Sequence, residues 1–247
     1  MRNQKALLDR NWFYEFELPN GIKTKTDCSD GVRQLHLFRR TVLLDVIQAH
    51  FGDRACNLSA LDIGSHEGYF TLELAKRFKS VQGIEKNAES FSASKKIFDA
   101  FGLDNIDLIC NDLLSVEKSR LKMADLVLLY GVIYHLEDPI SLLRKAASLA
   151  SRVLLLETQI LNFDMEAKID WGNYESQKNV TGVFGVVSDE PEAREGGQTE
   201  IALVPSMNAL YAVLNAMGFS TITKISDSSR MCEQFYRDRR VILLCIR

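Results

Sequence analysis

Short β-rich runs alternate with amphipathic helical stretches along most of this chain, and that alternation constrains its fold more than any other feature. Strand candidates are Ala60–Ile63, Val81–Glu85, Ile106–Cys110, Asp125–Tyr130, Val153–Gln159, Ser220–Ile225 and Val241–Ile246. Several are apolar without a break, the pattern of strands buried on both faces of a parallel sheet. Helix candidates lie at about Gly68–Lys79, Ala88–Phe101, Pro139–Ala150 and Met207–Met217. Asp138 before Pro139 offers an N-cap and a first-turn proline, and Gly218 offers a C-terminal stop. The expectation is an α/β fold: a doubly wound, seven-stranded Rossmann-like sheet with helices on both faces.

Two segments fall outside the alternation. Residues 1–52 hold a β-like piece (Trp12–Leu18), a turn at Asn20-Gly21 and a helix from about Asp30 to Phe51 with Val32, Leu35, Phe38, Val42, Val46 and Ile47 at helical spacing. The stretch 160–205 contains Trp171, Tyr174, Phe184 and the turn-rich Glu195-Gly196-Gly197. A connection of that length is usually functional, often a cover over a site. The expected organisation is therefore an N-terminal extension over 1–52 and a main domain over 53–247 with an insertion at about 160–205. Apolar residues make up 46% and charged residues 26%, which excludes disordered and coiled-coil classes. The longest uncharged apolar run, Leu126–Tyr134, is nine residues against the ~20 that span a bilayer, so no membrane partner is expected. Nor does a basic leader open the chain. Five cysteines without a CxxC pair argue against a zinc knuckle or disulfide framework, and a reducing cytoplasm is the expected compartment.

The most informative segment is Ala60-Leu61-Asp62-Ile63-Gly64-Ser65-His66-Glu67-Gly68-Tyr69-Phe70, which reads as strand, glycine turn and helix start. A dinucleotide fingerprint needs glycines at its first, third and sixth positions. His66 and Tyr69 occupy the last two here, so a pyrophosphate reading fails. The spacing is Asp-x-Gly-x-x-x-Gly instead. A carboxylate two residues before the first glycine suits a ligand carrying a sulfonium and an ammonium, and would repel a pyrophosphate.

With those residues in view, the chain resembles the class I S-adenosylmethionine-dependent methyltransferases. The resemblance implies that Asp62, Gly64, Ser65, His66, Gly68, Tyr69 and Phe70 surround the methionine end of the cofactor. It implies that Glu85, with Lys86 beside it, takes the ribose hydroxyls from a solvent-accessible position. Asn111, Asp112 and Leu113 would read the adenine, and Tyr130 and Gly131 would line the crevice at the end of the fourth strand. Gly131-Val132-Ile133-Tyr134-His135, Glu157 ending the fifth strand, and Val204-Pro205-Ser206 opening a helix that ends at Gly218-Phe219 tighten the match. Over about residues 30–247 these resemble the tRNA wobble-uridine carboxymethyltransferase family and its methyltransferase relatives. That family carries a long N-terminal domain and a shorter insertion. It also holds a carboxylated cofactor through basic residues, for which Lys23, Lys25 and Arg230 are the candidates here. S-adenosylmethionine is the expected cofactor, with carboxy-S-adenosylmethionine as the alternative.

Tyr134, His135 and Glu157 are the catalytic candidates. His135 has the near-neutral pKa of a general base but would equally serve to hold a loop. Glu157 stands between an acceptor-side carboxylate and a cap, and Tyr134 between the transfer region and packing. Trp171 and Tyr174 would stack on an acceptor or anchor the insertion. His36 and His50 read as structural or solvated, and Arg237, Arg239 and Arg240 as a solvated turn before a strand. With a net charge of −3 a small-molecule acceptor is favoured over tRNA, since phosphate recognition rests on positive charge. A non-catalytic binding protein that kept the fold is the remaining alternative.

Overall fold

Seven strands form one sheet: β1 (Ser59–Ile63), β2 (Ser80–Glu85), β3 (Ile106–Cys110), β4 (Ala124–Tyr130), β5 (Ala150–Gln159), β6 (Thr221–Ile225) and β7 (Arg240–Ile246). Their order is β3-β2-β1-β4-β5-β7-β6. This is the mostly parallel α/β sheet expected from the alternation, and every strand candidate is present within three residues of its expected start. The computed structural model describes residues 7–169, 178–189 and 199–247. The chain divides into two compact units, Met1–Leu128 with Leu149–Arg152, and Leu129–Ser148 with Val153–Arg247. Among the described residues no helix is long and apolar enough to cross a membrane.

In the first unit β1 pairs parallel with β2, and β2 parallel with β3. It carries the helices α1 (Asp30–His50), α2 (Tyr69–Ala75) and α3 (Ala88–Phe101). Leu35, Phe38, Val42, Val46 and Ile47 are buried on α1, the stripe its spacing called for, and Ser29 caps its start by accepting from the Val32 amide. Helix α2 is shorter than its pattern suggests. The Asn105 side-chain amide donates to the carbonyls of Ala75 and Phe78 at 2.9 and 3.0 Å, satisfying the groups a helix end leaves open. Phe78 then turns inward against Phe51, with ring centroids 5.6 Å apart. The signal that ends the helix thus lies some thirty residues downstream.

The expected strand over Trp12–Leu18 is not formed as such. Only Asn11–Trp12 pairs, with Lys25–Thr26, and a single bridge joins Glu17 to Lys23 around the turn. Asn20 and Gly21 make that turn: the Asn20 side chain accepts from the Ile22 amide, and Gly21 has φ 78°. Residues 10–18 form a strap whose Trp12, Phe13, Tyr14, Phe16 and Leu18 are all buried.

In the second unit β7 runs antiparallel to both β5 and β6. Helices α4 (Pro139–Leu149) and α5 (Met207–Ala216) begin as expected. Asp138 accepts from the Ser141 amide at 3.0 Å, and Ser206 caps α5 through the Ala209 amide. Between β5 and α5 the described residues form the antiparallel pairs Phe184–Ser188 with Ile201–Pro205 and Ala167–Ile169 with Lys178–Val180. Trp171, Tyr174 and the turn-rich Glu195-Gly196-Gly197 lie outside the described residues.

Candidate active site

In the first unit β1 ends at Ile63, and Gly64-Ser65-His66-Glu67-Gly68 turns the chain into α2. Gly64 (φ 74°), His66 (φ 49°) and Gly68 (φ 85°) take left-handed conformations. Glycine removes the steric cost at the two ends of the turn, whereas His66 must be held in place by its surroundings. Gly68 is required twice over, because a Cβ there would lie 2.5 Å from the Phe98 ring of α3. The amides of Gly64 and Ser65 both donate to the Ile84 carbonyl, at 2.9 and 3.0 Å, which ties the turn to β2.

Glu85 closes β2 and organises this turn. Its Oε2 accepts from the His66 amide at 2.7 Å and its Oε1 from the Asn87 amide at 2.6 Å. Asn87 in turn caps α3 by accepting from the amides of Glu89 and Ser90. The sequence suggested a solvent-accessible carboxylate. Glu85 is instead buried, because two backbone amides hold it against the turn. Each carboxylate oxygen has used one lone pair on an amide and keeps another, so the pair can still accept two neighbouring hydroxyls. Ser65 Oγ, in the same turn, is buried with no hydrogen-bond partner among the described residues. A polar atom left unsatisfied costs free energy that a ligand would recover. Both observations fit the adenosyl cofactor implied by the resemblance.

The other cofactor candidates sit around this frame. Asp62 lies behind the turn, where its Oδ2 accepts from the Thr71 hydroxyl at 2.6 Å and so ties α2 to β1. Burial pushes its carboxyl up to about 7, with the Thr71 bond opposing and the Glu85 charge adding to the rise. Asp112 caps a single turn by accepting from the Leu114 amide at 2.8 Å. Its own amide donates to the Asn111 side chain. Leu113 is buried and Lys86 exposed. Tyr69 and Phe70 pack toward the strap: the Tyr69 ring stacks on Tyr14 at 4.8 Å, and Phe70 meets the same ring edge-on at 5.8 Å. His36, which the sequence left as structural or solvated, is buried against Phe13 and Tyr14. Residues of the strap and α1, with Tyr69, line a cavity of about 470 Å³ that includes Glu15, Lys23, Arg33 and His36.

In the second unit Gly131 (φ 72°) follows Tyr130 at the end of β4 and donates its amide to the Glu157 carbonyl at 3.1 Å. Tyr134 and His135 share one turn of 3-10 helix, Ile133–His135. The structure joins Tyr134 to Glu157 through a residue the sequence reading assigned to solvent. Arg240, the first residue of β7, donates Nη1 to Glu157 Oε1 at 3.0 Å and Nη2 to the Tyr134 hydroxyl at 3.2 Å. Its guanidinium also lies 4.7 Å from the Tyr134 ring centroid, and its Nε donates to the Gln234 side chain. Glu157 is 0% exposed and Arg240 6%. Burial opposes the Arg240 charge, but Glu157 outweighs it and holds the group above its ordinary pKa.

Arg237 and Arg239 are exposed as expected; Arg240 corrects the solvated-turn reading because strand register turns it inward onto an acid. His135 Nδ1 lies 3.1 Å from Asp189 Oδ2, just beyond the strand Phe184–Ser188. Asp189, Arg240 and Glu67 are the polar residues that sequence reasoning missed. Each acts through a partner more than fifty residues away, which local pattern does not reveal.

The seven-stranded order, the glycine turn after β1 and the acid closing β2 define a Rossmann-like methyltransferase fold. Residues 35–190 match a family model described as a methyltransferase domain, and the chain belongs to that family. Among curated proteins it is similar to a tRNA U34 carboxymethyltransferase of Desulfotalea psychrophila, 35% identical over 103 residues covering 40% of this chain and 31% of that protein. A tRNA U34 carboxymethyltransferase of Nautilia profundicola is 28% identical over 148 residues, covering 58% and 47%. The chain thus spans about a third to a half of the length of these relatives. Among solved structures, the N-terminal domain of EvdMO1, crystallised in the presence of SAH and D-fucose, superposes with a TM-score of 0.67 at 22% identity. That match covers 99% of this chain and 94% of the other.

Proposed function

We propose that this protein transfers a methyl group from S-adenosylmethionine to a small-molecule acceptor. The observation that carries the proposal is the Glu85 carboxylate, fixed by the His66 and Asn87 amides with acceptor capacity to spare. Bound S-adenosylmethionine supplies a methyl group on a sulfonium for in-line displacement. The protein's contribution is then alignment in a preorganised polar site. Gly64, Ser65, His66 and Gly68 would hold the methionine end, Glu85 the ribose, and Asn111, Asp112 and Leu113 the adenine edge. Tyr130, Gly131 and Tyr134 would line the transfer region. Where the acceptor must lose a proton, His135 would take it at Nε2, with Asp189 orienting the ring through Nδ1. Trp171 and Tyr174 remain candidates for acceptor stacking. Five free thiols suit a reducing cytoplasm, the compartment we assign.

A carboxylated cofactor needs a cation with charge to spare. Lys23 is paired with Glu15 at 2.7 Å, Lys25 and Arg230 are exposed, and the buried Arg240 is neutralised by Glu157. Ordinary S-adenosylmethionine is therefore the better fit. A tRNA acceptor is the second reading, supported by the similarity to two tRNA U34 carboxymethyltransferases. The N-terminal domain of EvdMO1, which shares this fold, was crystallised in the presence of SAH and D-fucose, and this supports a small-molecule acceptor.

The test is calorimetric titration of S-adenosylhomocysteine into wild type, Glu85→Asp and Glu85→Ala, with mass spectrometry of any ligand retained through purification. Hydrogen bonds to a charged group contribute roughly 1.5–3 kcal/mol each, so Glu85→Ala should bind about a hundredfold more weakly, with Asp between. Equal affinity in a folded Ala variant would remove Glu85 from the site.

A further inference from the structure

Within the turn Gly64–Gly68, Glu67 is an acid with no part in the cofactor reading, yet it is among the most buried charged groups in the protein. It is 1% exposed, and its carboxylate reaches out of the turn to the strap. Oε2 accepts from the Phe13 amide at 2.7 Å and, more weakly, from the Tyr14 amide at 3.4 Å, while Oε1 pairs with Arg10 at 3.3 Å. Arg10 also reaches Glu89 in the first turn of α3 at 3.1 Å. A buried carboxylate is stable only when it is paired and hydrogen-bonded, and the strap supplies Glu67 with two amides and a guanidinium.

The contacts close a circuit. The strap residue bonded by Glu67 packs its own ring on the strained residue before it: Phe13 lies 5.1 Å from the His66 ring, and Tyr14 5.8 Å. His66 in turn gives its amide to Glu85. Loss of the strap would take the Phe13 and Tyr14 amides and Arg10 away from the Glu67 carboxylate and the Phe13 and Tyr14 rings away from His66 at φ 49°, so the amide offered to Glu85 would move. Conversely, a ligand that fixes Glu85 and the turn stabilises the surface on which the strap docks. By linkage, whatever one event does for the other is returned in equal measure.

We propose that Glu67 is a positioning residue that couples cofactor occupancy of the glycine turn to docking of the N-terminal strap, residues 10–18. The proposal rests on the cofactor reading above and adds to it that the turn reaches its binding shape only with the strap in place. The strap also supplies Glu15 to the wall of the 470 Å³ cavity, and Tyr14 stacks on its lining residue Tyr69, so the same coupling bears on that cavity.

The test uses full-length wild type, Glu67→Gln and Glu67→Ala, with S-adenosylhomocysteine as the probe. Titration calorimetry reads affinity, and hydrogen exchange reads the amides of Phe13 and Tyr14 with and without the probe. In wild type the probe should slow exchange at those amides about tenfold or more, the range of ordinary coupling energies. Glu67→Ala should exchange there at nearly the same fast rate in both states and bind about tenfold more weakly. Glu67→Gln keeps one acceptor oxygen for the strap amides but not the charge paired with Arg10. It should fall between the two, and it decides the matter if the Ala variant does not fold. A residue that merely stabilised the fold would lower the melting temperature while leaving affinity and the probe-dependent protection unchanged; that result overturns the coupling. A wild type that binds the probe without slowing exchange in the strap overturns it too. A wild type that does not bind the probe overturns the cofactor reading, and the coupling with it.

Discussion

Asp62 shows how a residue legible in sequence can act differently from its motif. The spacing before Gly64 marked it as an acid facing a cationic ligand, but its carboxylate is buried against the Thr71 hydroxyl. With its pKa raised from the usual carboxylate range to about 7, the folded state binds a proton that the unfolded chain has already lost. That contribution to stability is complete below the unfolded value of about 4 and disappears as pH rises through about 7. Asp62→Asn should therefore lose less stability than wild type on going from about pH 5 to about pH 8. Scanning calorimetry of both proteins checks this, and parallel pH dependences would place the titration elsewhere. Glu67 is the opposite case. Nothing in its local sequence marks it, because its partners are backbone amides more than fifty residues earlier.

Elements were legible where their signals were local. Helix α3 begins and ends where its Asn87 cap and Gly102 stop place it, and α4 follows its Asp138-Pro139 start. The errors arose where a distant residue intervened: Asn105 shortened α2, and Glu67 took strap amides that would otherwise have bonded to a strand. Strand β7 was placed correctly, yet its first residue was misread, since burying an arginine requires an acid that only the register with β5 supplies. Removing one member of such a pair strands the other, at a cost of about 3–5 kcal/mol, whereas removing both is often close to neutral. Arg240→Met should thus be strongly destabilised in urea melts, and Arg240→Met combined with Glu157→Leu should recover most of the loss. If the double variant melts no later than the single one, the guanidinium is held by Tyr134 and Gln234 rather than by the charge of Glu157.

At the scale of the whole molecule, charge separates the two acceptor readings. A chain with net charge −3 has no general attraction for phosphate backbones, whereas tRNA binding would show an affinity that falls steeply with salt. Filter binding of bulk tRNA at about 0.05 and 0.2 M salt should show weak retention at both concentrations. Strong retention that collapses with salt would instead favour the nucleic-acid acceptor. The fold was readable at this scale because alternation is a property of the whole chain; the acceptor was not, because neither the strap nor the stretch 160–205 carries a periodic signal. The β5–β7 pairing has one further consequence, for the order in which the chain is synthesised. β5 emerges about eighty residues before β7, and until then one edge of its apolar Val153–Leu156 run lacks its partner. Glu157 sits beside that run, and a charge on a strand edge deters other chains from adding to it. The acid that pairs with Arg240 in the folded chain thus also belongs, before β7 is made, to the kind of strand edge that charge protects from edge-to-edge addition.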